Sequence, residues 1–386
     1  MKRSLLTIGY ARPGFGFGRV LGELHTAFAD DFDITHLDLA APFIAQTHAP
    51  SSRPRRMDAI DVARIMSESS HDVALIFADI DTVCELTCAM RLSGTRVVAY
   101  MAIDSPVMPS PALAGLATLD VLAVYTTFAR DSLLDALAQL SLPAPRVEVL
   151  PHGCDIGMFF PLDAHAPRAR TMARDALFGT DHAMDDTFIV LNANRNQPRK
   201  RVDLTLQAFR RFLDIVPDAD AKLYLHMGLR DRGSLILPLA GSLGIDDRLL
   251  LTGTTLDHPS STDTHLNLLY NACDVGLNTA DAEGWGLIAF EHAATGRAQL
   301  VPAHTGCGEL WRDHALMIPA EPYHDMALNR RAFEVDVDAI ADDLARLYTD
   351  VSLRATYDAL AFHNATVNTL TWRDVGQRLK GWIHGH

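Results

Sequence analysis

The stretch Cys273-Asp274-Val275-Gly276-Leu277-Asn278-Thr279-Ala280, followed two residues later by Glu283-Gly284-Trp285-Gly286-Leu287-Ile288-Ala289-Phe290-Glu291, decides how the chain is read. Its first part is a short apolar run and predicts a buried strand. Its second part turns on Gly-Trp-Gly and enters an apolar helical segment, with carboxylates at 283 and 291. A strand that runs into a turn and then a helix is the repeating unit of a parallel sheet, and open sheets of that kind place ligands beyond the carboxyl ends of their strands. Free backbone N–H groups at the start of the helix favour an anionic or hydroxyl-rich ligand. Glu283 is therefore expected at the mouth of a crevice, and Glu291 about two turns along the helix.

The same alternation extends in both directions. Upstream, strands are predicted at Leu5–Gly9, Ile34–Leu39, Val73–Ala78, Arg96–Ile103, Val121–Tyr125 and Val147–Leu150, with helical patterns such as Ile80–Leu92 and Arg130–Leu140 between them. A polar stretch from His165 to Asp186 carries one predicted connecting helix. A second series follows at Phe188–Leu191, Lys222–His226, Leu249–Thr252, Val275–Asn278 and Gln299–Val301. Two successive doubly wound α/β sheets are the simplest reading. The final segment Trp372–Ile383 has an amphipathic helical pattern opened by Thr371 as N-cap. No short repeat and no low-complexity segment interrupts this plan.

Bulk properties narrow the function. The chain has 386 residues, enough for two ordinary domains, and its 48% apolar and 21% charged content is that of a globular protein. A formal charge of −14 argues against nucleic acid as a main partner, because phosphate binding needs a basic face. Five cysteines, an odd number without paired short spacing, suggest free thiols in a reducing compartment. Cys84 and Cys88 share a helix face, which packing explains. The Leu5–Gly9 run is too short for a signal peptide, and nothing approaches the ~20 apolar residues of a membrane span. A cytoplasmic setting is expected.

Several constellations could carry chemistry. Gly14-Phe15-Gly16-Phe17-Gly18 follows the first strand, where glycines let backbone approach a ligand. It departs from the G-x-G-x-x-G dinucleotide pattern, although Asp38 stands about where a ribose-binding acid would fall. In the second half, Asn192-Ala193-Asn194-Arg195-Asn196-Gln197-Pro198-Arg199-Lys200-Arg201 puts four cations past a strand end, on the sheet edge that also carries Glu283. Arg forks and a Lys point charge suit a diphosphate, whereas a solvated charge run is the alternative. Asp79-Ile80-Asp81 mimics a strand-DxD metal motif, but Asp79 is better placed to cap the following helix. Ser51-Ser52-Arg53-Pro54-Arg55-Arg56 is a basic loop that could meet an acidic acceptor or simply face solvent.

Together these residues resemble the family-4 glycosyltransferases. Arg195 and Lys200 look like that family's diphosphate pair, and Glu283 to Glu291 resembles its E-x7-E signature. Pro151-His152-Gly153-Cys154-Asp155 with Phe160-Pro161 looks like its interdomain segment. The resemblance covers roughly residues 146–310, with the early glycine loop and the last helix agreeing in outline. It implies a GT-B fold: two facing Rossmann-like domains with a central cleft, and a retaining, metal-independent transfer from a nucleotide-sugar to an acceptor hydroxyl. On it, residues 1–155 form the acceptor-side domain, 156–185 connect, 186–365 bind the nucleotide-sugar, and 366–386 return to the first domain. Arg195 and Lys200 would neutralise the departing diphosphate. Glu283 would stabilise positive charge at the donor sugar, and Glu291 would accept from the ribose hydroxyls. Backbone around Gly284, Trp285, Gly286 and Leu287, with Gly16 and Gly18, would complete donor binding. No cofactor or metal is called for, the acceptor is undefined, and room remains for peripheral membrane contact and for any oligomeric state.

The chain also departs from the family pattern. Asn194-Arg195 stands where Gly-Arg is common, Arg199 and Arg201 flank Lys200, and His152 replaces the usual Asn. The central strand Ala99-Tyr100-Met101-Ala102-Ile103-Asp104 lacks the family's acceptor-side His, leaving Asp104 as the candidate acceptor contact or a turn residue. A related epimerase or phosphorylase, or a silent nucleotide-sugar-binding protein, are the rival readings. The His304-Thr305-Gly306-Cys307-Gly308-Glu309 loop resembles the family's glycine-rich stretch, with a plain βα turn as the alternative.

Overall fold

A computed structural model describes residues 2–385 apart from 13, 41, 44–54, 57–58, 69–70, 91–94, 182–183, 230, 253–258 and 260. The chain divides into two compact units, Met1–Gly153 with Leu370–His386, and Cys154–Thr369. In chain order the first unit contains β1 (Arg3–Gly9), α1 (Gly16–Phe28), β2 (Phe32–Asp38), β3 (Pro42–Phe43), β4 (Arg55–Arg56), α2 (Ala59–Glu68), β5 (Val73–Asp79), α3 (Ile80–Met90), β6 (Arg96–Ala102), β7 (Val121–Val124), α4 (Thr127–Gln139) and β8 (Val147–Val149). Six of these strands form a parallel sheet in the order β2-β1-β5-β6-β7-β8, and β3 pairs with β4 apart from it. Val73 to Ala78 are all buried, because a parallel sheet is covered on both faces and its inner strands need no polar alternation.

The second unit runs through α5 (Ala166–Phe178), β9 (Phe188–Asn192), α6 (Val202–Ile215), β10 (Ala221–Leu225), α7 (Ile236–Leu243), β11 (Leu249–Leu251), α8 (Asp263–Ala272), β12 (Val275–Leu277), α9 (Leu287–Ala293), β13 (Ala298–Pro302), α10 (Thr305–Leu310), β14 (Leu316–Ile318), β15 (Ala320–Asp325), β16 (Arg330–Val335), α11 (Val337–Thr349) and α12 (Val351–Thr366). Its parallel sheet has the order β11-β10-β9-β12-β13-β14. Successive strands step away from β9 on one side, and the chain then returns to its other side at β12. The switch point of the sheet therefore lies between β9 and β12, where loops diverge and leave a crevice.

Helix α13 (Trp372–His384) belongs to the first unit and lies against α1. Thr371 and Asp374 form a reciprocal capping box at its start. Gly376 lets the two helices meet, since a Cβ there would stand 2.5 Å from that of Ala27. Residues 156–185, expected as a connection, are packed within the second unit instead. Phe160 N–H and Leu162 N–H donate to Asn267 and Asn271 on α8, at 3.1 and 3.0 Å. Arg174 of α5 is buried, with Nη2 2.8 Å from Asp274 Oδ2 and Nε donating to the Ala272 carbonyl at 2.9 Å. Two further elements were not expected: the edge strand β14 and the antiparallel β15–β16 hairpin. The expected strand over Cys273–Ala280 is regular only at Val275–Leu277, although the whole run is buried.

Candidate functional site

Two backbone arms leave the switch point of the second sheet. The first follows β9, where Asn192 Oδ1 accepts from Asn194 N–H at 3.0 Å and turns the chain out of the strand. A short 3₁₀ turn over Pro198–Lys200 then delivers Lys200 to the interior, and Arg201, at φ 44°, starts α6. The second arm follows β12, where Asn278 Oδ1 accepts from Ala280 N–H at 3.0 Å and starts a strap that ends at Glu283. Gly286, at φ 85°, ends the turn and opens α9. A recess lined by Ala193, Asn194, Asn278 and Gly286 lies between the arms.

The arms are joined by charge. Lys200 Nζ donates to Glu283 Oε2, with 7% of each residue exposed, and an Arg199 guanidinium nitrogen stands 3.9 Å from Glu283 Oε1. Burial pulls the Glu283 carboxyl upward, but Lys200 and Arg199 outweigh it and hold it below the ordinary glutamate value. Lys200 is lowered, by burial first and by Arg199 second, against the opposing pull of Glu283. The result is an ionised carboxylate next to two cations in a poorly hydrated place, where charge interactions are stronger than in water.

A third element clamps Glu283. Thr305 Oγ1 donates to the Glu283 carbonyl at 2.9 Å, and Gly306 N–H donates to the same oxygen at 3.0 Å. Thr305 occupies the left-handed region, at φ 46°, which a β-branched residue rarely adopts. A Cβ on Gly306 would come 2.1 Å from the Gly284 carbonyl oxygen, so only glycine lets the two turns touch. His304 stacks on Phe333 at 4.6 Å and lies 3.0 Å from the Ala280 carbonyl; burial pushes its pKa down to about 4.

The other residues singled out in the sequence fall as follows. Glu291 is buried on α9 and accepts from the Tyr270 hydroxyl at 2.8 Å. Trp285 is buried and stacks on Phe290 at 4.8 Å, while Gly286 and Leu287 are half-buried. Arg195 is paired with Asp231, through Nε at 3.1 Å and Nη2 at 2.8 Å. Arg201 is held by Asp203 and Glu334. Arg199 and Lys200 thus share Glu283, while Arg195 and Arg201 have carboxylate partners of their own. In the first unit Gly16 is exposed at the start of α1, and the space at Gly18 is filled by the Arg12 carbonyl, 2.1 Å from where a Cβ would stand. Close approach at Gly18 is to the chain's own loop. Asp38 accepts from Ala40 and Ala11 N–H and fastens that loop.

Asp79 caps α3 by accepting from Thr82 N–H at 2.9 Å. Asp104 is half-buried beyond β6, and the Asp81 carboxyl is raised by burial, then by Asp79 and Asp104. His152 is buried in a ring cluster with Tyr100, Tyr125 and Trp372. The 51–54 part of the basic loop and the Cys88 side chain lie outside the described residues; Arg55–Arg56 form β4. Sequence reasoning missed Asp231, Asp281, Tyr323 and Arg330, whose links to the site span 36 to 49 positions. Among the described residues no group of three or more His, Cys, Asp or Glu could hold a metal ion, and no helix is long and apolar enough to cross a membrane.

Solved structures supply the fold comparison. A sucrose-phosphate synthase from Thermosynechococcus elongatus superposes with a TM-score of 0.73 at 16% identity, over 99% of this chain and 98% of that one. Anabaena HepE, solved in complex with UDP and glucose, gives 0.70 at 13% identity over 100% of both chains. The chain has the GT-B fold. No family model matches it. A D-inositol 3-phosphate glycosyltransferase of Salinispora arenicola (strain CNS-205) is 28% identical over 229 residues, 58% of this chain and 46% of that protein. Its counterpart in Geodermatophilus obscurus is 32% identical over 177 residues, 44% of this chain and 35% of that protein. The matched part thus spans less than half the length of either relative.

Proposed function

We propose that the chain is a retaining glycosyltransferase of the family-4 type, which moves a sugar from a nucleotide-sugar donor to an acceptor hydroxyl without a metal. The observation that carries the reading is the buried Lys200–Glu283 pair with Arg199 beside it, at the switch point of a GT-B sheet. A donor diphosphate brings the anion that such cations stabilise, and preorganised charge is the largest rate term open to such a site. Lys200 and Arg195 neutralise the leaving diphosphate in this reading. Because Arg195 is tied to Asp231, Arg199 becomes a third contributor, drawn toward the same carboxylate as Lys200. Glu283 stabilises positive charge growing at the donor's anomeric carbon, and Glu291 accepts from the ribose hydroxyls. The turn Gly284–Leu287 contributes backbone N–H groups.

The reading assigns donor binding to the second unit. The acceptor falls to the first, with Asp104 as its candidate contact. It carries with it a cytoplasmic setting and an acceptor still to be named. The complex of HepE with UDP and glucose, and that of a trehalose-6-phosphate protein from E. coli with UDP-2-fluoro glucose, make UDP-sugars the first to try. A thermal-shift screen with UDP-, GDP- and ADP-sugars tests binding, since a ligand of the native state raises its apparent stability. Glu283→Gln should retain binding and lose transfer. No shift with any donor, or undiminished transfer by that variant, overturns the proposal. Turnover of donor without acceptor, or only with free phosphate, would replace it with an epimerase or phosphorylase.

A further inference from the structure

Asp281 lies two residues before Glu283 and is 2% exposed, yet no step above uses it. Each residue of the strap is held by a group outside it. With the proton on Nε2, His304 donates to the Ala280 carbonyl at 3.0 Å, and Arg199 Nη1 donates to the Ala282 carbonyl at 2.9 Å. Asp281 is held by the β15–β16 hairpin. Arg330 Nη2 donates to both of its carboxylate oxygens, at 2.9 and 2.8 Å, and the Tyr323 hydroxyl donates to Oδ2 at 3.1 Å. Phe333 N–H donates to the Asp281 carbonyl at 2.9 Å, and its ring stacks on His304. The same hairpin reaches the other arm, where Arg201 Nη1 donates to Glu334 at 3.0 Å, one residue beyond Lys200.

The hairpin gives the core only Ala332 and Val335, with Ala320 packed against it, while most of β15 is exposed. Burying the Asp281 charge is costly unless its partners are well placed, and exchange of such a pair for apolar groups is often neutral for stability. What the pair does fix is geometry: one guanidinium nitrogen donating to both carboxylate oxygens, with the Tyr323 hydroxyl on Oδ2, leaves little freedom to a strap only two residues from Glu283. We propose that Asp281 and Arg330 are positioning residues for Glu283, the hairpin bracing both arms of the site. This inference rests on the glycosyl-transfer reading for its kinetic consequence but not for its structural one.

Two variants and two readouts test it. Asp281→Asn should leave the donor KM within about twofold and lower kcat about 10²-fold, as small misplacements of a catalytic group do. Arg330→Met should behave alike, and Arg330→Lys should recover about tenfold of the loss by restoring a charged donor beside Asp281. Amide exchange of residues 279–284 should quicken at least about tenfold in Asp281→Asn while β9 and β10 keep their protection. Unchanged kcat, unchanged strap exchange, or loosening spread evenly over the second unit overturns the inference. If the unmodified protein turns over no donor, the glycosyl-transfer reading fails, and strap exchange alone decides whether the hairpin positions Glu283.

Discussion

Acid should weaken the first unit through its imidazoles: burial lowers His25 and His36, and lowers His152 furthest. His152 is 3% exposed, lies 2.6 Å from the Tyr100 hydroxyl and sits 3.9 Å, ring centre to ring centre, from Tyr125. The tautomer that satisfies the chain has Nδ1–H donating to Tyr100, whose own hydrogen goes to the Leu150 carbonyl at 3.1 Å. Burial pushes the His152 pKa down from 6.5 to about 3. The folded state therefore refuses a proton that the unfolded chain takes up below its ordinary value, so stability is lost as pH falls. Between about pH 7.5 and about pH 4.5 the loss from this group amounts to about 2.7 kcal/mol. His152→Asn removes the titration and also leaves a pH-independent packing cost, so the comparison is of slopes. Urea unfolding at a series of pH values, with amide exchange of β6 reporting the first unit, should show the variant's stability falling by about that much less. His25 and His36 of the first unit, lowered by burial, and His292 and His304 of the second, lowered by burial to about 3 and about 4, are common to both proteins and cancel in the comparison. Parallel slopes for the two proteins would refute the buried-neutral assignment.

In the second unit, Asp358 should act with the opposite sign. Burial raises its carboxyl from 3.8 to about 6, so its contribution is whole below the unfolded value and fades as pH rises through the folded one. Asp358→Asn, which can still accept from Ala298 N–H, should flatten that fall of about 3 kcal/mol in urea titrations. Asp274→Ala leaves Arg174 and Arg170 without their shared carboxylate and should cost about 3–5 kcal/mol, read from the urea midpoint. Gly306→Ala should push the Gly284 carbonyl away, lowering both the melting temperature and donor turnover; an unchanged melting temperature with full activity would show that the contact between the turns is dispensable.

Parallel strands announced themselves because both faces are covered: Val73–Ala78 and Phe188–Leu191 are apolar runs with no competing reading. The hairpin did not. Ala320–Asp325 contains Pro322 and is mostly exposed, so neither alternation nor an apolar run marks it. Helix α5 read as a polar link since nothing local shows that Asp274, a hundred residues on, will neutralise Arg174. At the site, the strand-end positions of Lys200 and Glu283 were legible from the βα rhythm. Their partners were not, because the pairing of Arg195 with Asp231 and of Asp281 with Arg330 follows from sheet order. The left-handed Thr305 also escaped, for a β-branched residue carries no signal of that conformation.

The first unit is assembled from both extremities of the sequence, and this has a consequence for biosynthesis. Val20, Leu21, Leu24 and Phe28 of α1 are buried, and α13 packs on that helix with Gly376 beside Ala27 and Phe28. Roughly two hundred residues of the other unit must leave the ribosome before that cover arrives. At ~5–20 residues per second the nascent helix waits about 10–40 s with its greasy side bare. A ribosome stalled in that interval would display a sticky, half-finished domain, an obvious client for a chaperone.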